Sequence, residues 1–455
     1  MQKRIVSIIL SVLLVATLLS GCGSQSGEGT TETTTETTTA TSTDDDNTLT
    51  IIHMWTDELV EQREMEAVAV KHALENFKEK YPDVTVIEEQ VSQNAGYESK
   101  IKTLAAANEL PDLFGALPSM MGTFYDNGQV MDLAPVLAEE SEWYNTFADG
   151  AFGDFQNGDA ILGVPRVAIV NHVLYWNEAI FKECGIAEYP KNEQDFLEAV
   201  KILKENGYVP MATGNKGKFM IASQVMPGIL FKYVGKDWYE NLRNFEGASF
   251  EDPESIAAIT YLDSLIKAGL FNEDANSIDE FQAREMYYSG KAAMYVEGSW
   301  SISSLIADGN DEIKENTNFE IFTTVEGKED LEPQIITGQG WGFSLNANLS
   351  DKKKENALNF LKELTSPEIQ KELVESGSMS ILKNVDYDES KLDPLQTEFL
   401  ELYSSKTVQI GCPEVQLSTA YMDASYTAYQ ELSVGDITPE ELAKTLQKAH
   451  ESSKK

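Results

Sequence analysis

The folded part of the chain opens with the stretch Leu49-Thr50-Ile51-Ile52-His53-Met54-Trp55, whose apolar and β-branched residues predict a β-strand. Next come Val70, Leu74 and Phe77, whose spacings of four and three predict a helix. A second strand is predicted at Val84-Thr85-Val86-Ile87. Because a strand, a helix and a strand in succession favour parallel pairing, this alternation predicts an α/β fold.

The same alternation continues along the chain. A helix is predicted around Ile101-Lys102-Thr103-Leu104, a break at Pro111, and a third strand at Leu113-Phe114. Four later segments have the apolar spacing of helices: Phe196 to Lys204, Ile256 to Lys267, Asn356 to Leu364, and Glu440 to Lys448. The sequence contains no visible internal repeat.

The N-terminal segment is typical of a secretory signal peptide. Lys3 and Arg4 precede an uncharged, mostly apolar run from Ile5 to Leu19, and small residues then lead to Cys22. The run is short for a membrane-spanning helix, which needs about 20 residues. The string Leu19-Ser20-Gly21-Cys22 resembles the bacterial lipobox, which implies that residues 1–21 are removed and that Cys22 carries the lipid.

A threonine-rich segment follows the cysteine, and residues 22–47 are predicted to form a disordered linker. Apart from threonine methyls, its only hydrocarbon side chain after Cys22 is Ala40, so it cannot bury enough apolar surface to offset its ordering entropy. We therefore expect a domain tethered to the cell membrane by its lipid, on the extracellular or periplasmic side.

The composition limits the ligands and partners. The net charge is −40, and −42 once Lys3 and Arg4 are removed. Nucleic acid and other multiply anionic partners are therefore disfavoured, and a neutral ligand is favoured. After maturation only Cys184 and Cys412 remain, and the sequence leaves open whether they pair or stay free.

Five short motifs occur in a characteristic order behind the lipobox. They are Phe77-Lys78-Glu79-Lys80-Tyr81-Pro82-Asp83-Val84-Thr85-Val86; Pro111-Asp112-Leu113-Phe114 after the helix that follows Tyr97; Gly163-Val164-Pro165 with Leu174-Tyr175-Trp176-Asn177-Glu178-Ala179-Ile180-Phe181; Gly290-Lys291-Ala292-Ala293-Met294 with Glu297-Gly298-Ser299-Trp300; and Gly338-Gln339-Gly340-Trp341-Gly342 with Ser366-Pro367-Glu368. In this order, over about residues 48–450, they resemble the solute-binding lipoproteins of carbohydrate ABC importers, the maltose-binding-protein-like family.

The resemblance implies an α/β fold with a two-lobed, periplasmic-binding-protein-like clamshell. Each lobe would have a mixed, mostly parallel sheet flanked by helices, with hinge crossings between the lobes. Lobe one would comprise residues 48–165 and 327–374, and lobe two residues 166–326 and 375–455. The resemblance also implies a carbohydrate ligand and ABC permease subunits as partners, and we expect a monomer.

Aromatic rings are the first candidates for a sugar site, because the C–H face of a pyranose packs well on a flat ring. Trp55 follows the first strand, where α/β proteins bind ligands, and Asp57 lies in the polar loop behind it; core packing is the alternative for Trp55. By resemblance, Trp300 and Tyr421 match stacking aromatics, although Trp300 could instead pack inside lobe two. Trp341 could stack on ligand, or its flanking glycines could serve only close backbone approach.

Polar groups must then fix the sugar hydroxyls. Arg166 and Asn171 follow the predicted hinge strand and are candidate contacts, with hinge or surface hydrogen bonds as the alternative. Phe219 could reach the cleft. Ser119 occupies a position where maltose binders have an acidic contact, and Ala116 one where they have an aromatic residue. These two departures argue against maltose itself.

Enzyme motifs are missing from the sequence. It contains no GxSxG, HExxH, CxxC or P-loop string, and its four histidines lack metal-ligand spacing, so no catalytic residue, metal or cofactor is predicted. We therefore predict a non-enzymatic receptor that captures a neutral sugar or oligosaccharide and delivers it to an ABC permease. A surface-anchored glycoside hydrolase, or a receptor for a non-sugar solute, remains the alternative.

Overall fold

The computed structural model describes residues 46–92, 95–331 and 334–454, and the lipobox cysteine Cys22 lies outside this part of the chain. The strands are β1 (Thr48–His53), β2 (Thr85–Gln90), β3 (Leu113–Ala116), β4 (Gln156–Asn157), β5 (Ala160–Ile161), β6 (Val164–Pro165), β7 (Ile169–Val170), β8 (Val173–Asn177), β9 (Val209–Ala212), β10 (Ala292–Glu297), β11 (Thr317–Glu320), β12 (Gln334–Gly338), β13 (Gly342–Leu345) and β14 (Val408–Gly411).

The α-helices alternate with these strands. They are α1 (Asp57–Glu61), α2 (Met65–Lys80), α3 (Ala95–Ala107), α4 (Pro118–Asp126), α5 (Ala134–Glu139), α6 (Ser141–Tyr144), α7 (Glu178–Glu183), α8 (Glu193–Glu205), α9 (Met226–Arg243), α10 (Pro253–Ala268), α11 (Glu280–Tyr288), α12 (Ser301–Asp308), α13 (Asp311–Asn316), α14 (Asp351–Leu364), α15 (Pro367–Glu375), α16 (Pro394–Ser405), α17 (Pro413–Gln416), α18 (Thr419–Val434) and α19 (Pro439–Glu451). A π-helix, Met220–Val225, leads directly into α9.

Two mixed sheets organise the fold. The first has the strand order β2-β1-β3-β13-β6, in which β1 pairs in parallel with β2 and β3, whereas β13 is antiparallel to β3 and β6. The second has the order β11-β8-β10-β9, in which only the β9–β10 pair is parallel. A smaller sheet, β14-β12-β7, joins three distant parts of the chain, with β12 parallel to β14 and antiparallel to β7.

The elements predicted from the sequence are found in the structure. The strand–helix–strand unit predicted near the start is β1, α2 and β2, and the third predicted strand is β3. The four later helices are α8, α10, α14 and α19. Both main sheets are mixed, as predicted, but parallel pairs are two of the four in the first sheet and one of the three in the second, so the sheets are not mostly parallel. Strands β8 and β13 lie antiparallel to both of their neighbours and account for this difference.

Helix ends follow the local chemistry of the sequence. Asn192 accepts hydrogen bonds from the backbone N–H groups of Gln194 and Asp195 and so begins α8. Thr438 and Glu441 form a reciprocal capping box at the start of α19.

Cys184 and Cys412 are both free thiols, the first half-buried and the second buried. Among the described residues no helix is long and apolar enough to cross a membrane.

Candidate functional site

A cleft lies where the ends of β1, β6 and β10 and the connection between β12 and β13 approach one another. It encloses about 1070 Å³ of space, a volume that includes the solvent at its open mouth. Six of the residues predicted from the sequence line it: Trp55, Arg166, Asn171, Phe219, Trp300 and Trp341. The fold therefore brings together side chains that are separated by up to 286 positions in the chain (341 − 55).

Trp55 lies just beyond β1 on one side of the cleft and is buried, with 3% of its surface exposed. Its ring packs against Phe343, with the ring centroids 5.0 Å apart. The guanidinium carbon of Arg166 lies 4.2 Å from the Trp55 ring centroid, a cation–π geometry. The same guanidinium pairs with the carboxylate of Glu66. The ring of Trp55 is thus a packed wall of the cleft, with a charged group on one face.

Trp300 lies on the opposite side, just beyond β10, and is partly exposed. Its indole N–H donates to the Glu297 carboxylate at 3.0 Å, which fixes the edge of the ring. A Cβ at position 298 would overlap the six-membered part of this ring, so Gly298 allows the indole to fold back over the end of the strand. The local string Glu297-Gly298-Ser299-Trp300 therefore orients the ring toward the cleft that it lines.

A buried charge network supports the Trp300 side. Arg284 on α11 pairs with Glu297 at 3.1 Å and with Glu64, which precedes α2 on the other side of the cleft. Glu64 also accepts a hydrogen bond from the hydroxyl of Ser304 at 3.0 Å. Arg284 and Glu297 are both nine-tenths or more buried, and burying unpaired charges would be costly, so these groups depend on one another.

Trp341 is partly exposed and lines the cleft beside its two glycines. Gly340 has a φ of +54° and Gly342 approaches the carbonyl of Val164, so both positions need a residue without a side chain. The Trp341 ring meets the buried ring of Tyr97 edge to face, with centroids 5.6 Å apart. The glycines thus serve close backbone approach, and the tryptophan between them still reaches the cleft.

Two buried amide side chains that line the cleft have oxygens without a hydrogen-bond donor. The Oδ1 of Asn171 and the Oε1 of Gln224 have no hydrogen-bond partner, although the two residues are 3% and 2% exposed. The Nε of Arg166 is a buried donor in the same condition. Because buried polar groups are almost always paired, these three atoms are positions where a ligand would form hydrogen bonds. Phe219, at the start of the π-helix, adds a partly exposed ring.

Three predicted residues lie away from the cleft lining. Asp57 begins α1, is exposed, and pairs with Lys71 at 3.0 Å in a neighbouring pocket. Ser119 is on α4, and its hydroxyl contacts the sulfur of Met422 at 3.6 Å. Tyr421 is 4% exposed and stacks on Phe250 at 5.2 Å. Ligand contact by these residues stays a prediction that this geometry does not favour; local packing explains their positions.

Several acidic residues in the cleft were not anticipated from the sequence. Glu98 on α3, Glu280 on α11 and Glu414 on α17 line it together with Tyr426 on α18. Burial, with a smaller contribution from the nearby Glu414 charge, raises the pKa of Glu98 to about 7. Burial also raises the pKa of Glu280 to about 7 and raises the pKa of Glu414. Nothing in their local sequence distinguishes these residues among 75 acidic side chains.

Comparison with known proteins places these features in a family. Residues 72–395 match the bacterial extracellular solute-binding proteins. The xylose/arabinose-binding protein XacG of Haloferax volcanii is 27% identical over 292 residues, which cover 62% of this chain and 60% of XacG. The diacetylchitobiose binding protein DasA of Streptomyces coelicolor is 24% identical over 274 residues, 59% of each chain. The chain thus spans about three fifths of the length of the curated relatives it matches.

Solved structures agree at the level of the fold. A chitin oligosaccharide binding protein superposes with a TM-score of 0.79 at 21% identity, over 89% of this chain and 98% of that one. The maltose-bound MalE3 of T. maritima superposes with a TM-score of 0.71 at 20% identity, over 89% and 99% of the two chains. The fold is therefore that of the two-lobed solute-binding proteins. With more than half of its length matched, the chain belongs to the bacterial extracellular solute-binding protein family.

Proposed function

We propose that this protein is the substrate-binding receptor of a carbohydrate ABC importer and that it captures a sugar or oligosaccharide in the cleft. The observation that carries the proposal is the combination of partly exposed aromatic rings, Trp300 and Trp341, with buried unpaired polar atoms in one cavity. The rings suit the C–H faces of a pyranose, and the polar atoms suit its hydroxyls. Relatives that bind xylose and arabinose, or diacetylchitobiose, support this ligand class.

The net charge of −40 supports a ligand without acidic groups. Transfer through the membrane and ATP hydrolysis would belong to other subunits, which this chain would meet from the extracellular or periplasmic side. Its own task would be binding rather than catalysis.

We also propose the lobe boundaries given by the resemblance, 48–165 with 327–374 and 166–326 with 375–455. The two main sheets support them, because the first draws on residues 48–165 and 342–345 and the second on residues 173–320. The strand β12 does not follow these bounds, since it lies within 327–374 but pairs with β7 and β14 of lobe two.

A thermal-shift screen of the purified protein against a carbohydrate panel tests the function. A ligand present at 100 times its dissociation constant should stabilise the folded state by about 2.7 kcal/mol, which raises the melting temperature measurably. Stabilisation by peptides or metal ions, with none by any sugar, would contradict the carbohydrate assignment. Release of a chromophore from aryl glycosides by the same preparation would favour the glycoside hydrolase alternative.

Membrane attachment is a separate part of the proposal and rests on the string Leu19-Ser20-Gly21-Cys22. If Cys22 carries the lipid, a Cys22→Ser variant should lose acyl labelling and should appear in the soluble fraction. Cys184→Ser provides the matched control, because this half-buried thiol lies on the folded domain. A Cys22→Ser protein that stays with washed membranes would rule out the lipid anchor.

A further inference from the structure

Glutamates outnumber arginines in the cleft lining. Glu64, Glu66, Glu98, Glu280, Glu297 and Glu414 line it, against Arg166 and Arg284. Both guanidiniums already have carboxylate partners, since Arg166 pairs with Glu66 and Arg284 pairs with Glu64 and Glu297. Within the described residues, neither Glu98 nor Glu414 forms an ion pair with an arginine. One end of the cleft therefore has carboxylates without a matched guanidinium.

Glu98 and Glu414 come from different helices to this end of the cleft. The Tyr426 hydroxyl donates a hydrogen bond to the Glu414 carboxylate. Glu98 is buried, with 8% of its surface exposed. The nearest cation is Lys102, whose Nζ lies 3.8 Å from Glu98 but 2.9 Å from Asp423, outside the cleft lining. Lys102 is thus shared with a second carboxylate and compensates Glu98 only in part.

A second, independent observation concerns neutral groups. Gln224 belongs to the π-helix, which packs against α17, the helix of Glu414. Its Oε1 and the Oδ1 of Asn171 are both buried acceptors without a donor, and both residues line the cleft. The sole buried side-chain donor without a partner among the described lining residues is the Arg166 Nε, which a hydroxyl oxygen of a sugar can satisfy.

We propose that the captured sugar carries a free, protonated amino group, which lies against the carboxylates of Glu98 and Glu414. This inference rests on the proposed carbohydrate function and narrows its ligand class. An ammonium group has three N–H donors and no acceptor, so it matches a wall of carboxylates and unpaired amide oxygens. It also compensates buried negative charge, which a hydroxyl does not. An acetylated amine would be bulkier, would gain a carbonyl acceptor, and would lose the charge and two of the donors.

The charge state of Glu98 makes the preference depend on pH. Burial and the Glu414 charge hold the pKa of Glu98 near 7, while Lys102 lowers it and Asp423 raises it. Because a protonated Glu98 attracts the ammonium less, affinity for the amino sugar should rise as the pH increases from 6 to 7.5. It should fall again once the pH exceeds the pKa of the amine itself, whereas a hydroxyl sugar should show no such maximum.

Titration calorimetry with matched sugars tests the inference on the purified full-length protein. Each set contains an amino sugar, its acetamido form and its hydroxyl parent, at ring positions 2, 3 and 6, as monosaccharides and as β-1,4-linked dimers. In the set that binds most tightly, the free amine should have at least a tenfold lower dissociation constant at pH 7.5. A parent or acetamido sugar that binds as tightly overturns the inference and leaves the carbohydrate function intact. Absence of binding by every sugar overturns the proposed function itself.

Two variants locate the amine. Glu98→Gln and Glu414→Gln should each bring the ratio of the dissociation constants of parent and amine toward one. Glu205→Gln, an exposed position at the end of α8, serves as the control and should leave that ratio unchanged. An amine preference that survives in both cleft variants would place the charge recognition elsewhere and contradict the assignment to Glu98 and Glu414.

Discussion

The two sides of the cleft are stabilised by different interactions. On the β1 side, Trp55 is packed into the core against Phe343 and has a guanidinium on its face. On the β10 side, Trp300 is partly exposed, and a buried network of Arg284 and Glu297 fixes its edge. The first side depends on apolar packing, and the second on the matching of buried charges.

This difference shows that an aromatic residue in a cleft is a stacking surface only if a ring face is open. Trp55 and Trp300 each follow a strand of one of the two main sheets, and the sequence makes both of them candidate ligand contacts. Their surroundings separate them: the Arg166 guanidinium covers Trp55, whereas Gly298 leaves the Trp300 ring folded back beside the cleft. The first tryptophan should therefore matter more for folding, and the second more for binding.

The strongest test of the charge-matched side is Arg284→Met. This change leaves the buried carboxylate of Glu297 without its ion pair, and unfolding should become easier by about 3–5 kcal/mol. Guanidinium-chloride unfolding followed by circular dichroism measures the change.

Arg63→Ala is the matched control. Its pair with Asp308 is long, 3.9 Å, and both side chains are largely exposed. We expect a loss of no more than about 1 kcal/mol there. Equal losses in the two arginine variants would mean that the buried network does not support the second side.

The packed side is tested by Trp55→Ala. Removing a buried tryptophan from a packed wall typically costs about 3–5 kcal/mol of folding free energy, and the same unfolding experiment detects it. The sugar affinity of the folded fraction is measured in parallel. A variant that melts like the parent protein but binds sugar weakly would reverse the comparison and make Trp55 a stacking ring.

Trp300→Ala should give the opposite result. If the ring lies under a sugar, its loss should cost about 2–4 kcal/mol of binding free energy, which corresponds to a thirty-fold to nearly thousand-fold weaker affinity. The melting temperature without sugar should change little, because the ring is partly exposed. Lowered melting with unchanged affinity in the folded fraction would instead identify Trp300 as part of the core.

Much of this comparison could be predicted from the sequence, and the limits have physical causes. Periodicity predicts strands such as β1 and helices such as α8, since their signals are local. The motif around Trp300 is also local, because Gly298 lacks the side chain that would overlap the Trp300 ring. The resemblance predicts Tyr421 as a stacking residue, but Tyr426, five positions further along the same helix, is the tyrosine that lines the cleft. Which face of α18 meets the cleft depends on tertiary packing.

The acidic end of the cleft could not be predicted for a related reason. Glu98 and Glu414 are 316 positions apart (414 − 98), and neither belongs to a recognisable motif. Their significance arises only when the fold removes them from water and brings them near each other, which shifts their pKa values. A single sequence does not show which individual glutamates the fold buries.

The smallest expected effect is a gain of stability in Glu98→Gln. Burial raises the pKa of Glu98 from 4.5 to about 7, so the folded state binds this proton more tightly than the unfolded chain does. Stability from this group is therefore present below pH 4.5 and is lost as the pH rises through 7. Glutamine does not ionise, so the variant should exceed the parent by up to about 3 kcal/mol at pH 8 and by much less at pH 5.

Chemical unfolding at the two pH values measures this gain, with the exposed Glu205→Gln variant as a control that should show none. A gain at pH 8 means that the protein retains a buried carboxylate at the expense of its own stability, as a site that compensates the charge with a ligand would. If Glu98→Gln is no more stable than the parent protein at pH 8, Lys102 already neutralises this carboxylate. Glu98 would then be paired within the protein, as Glu297 is paired with Arg284. The acidic end would have no unpaired charge for a ligand to compensate, and it would no longer differ from the side of the cleft that contains Trp300.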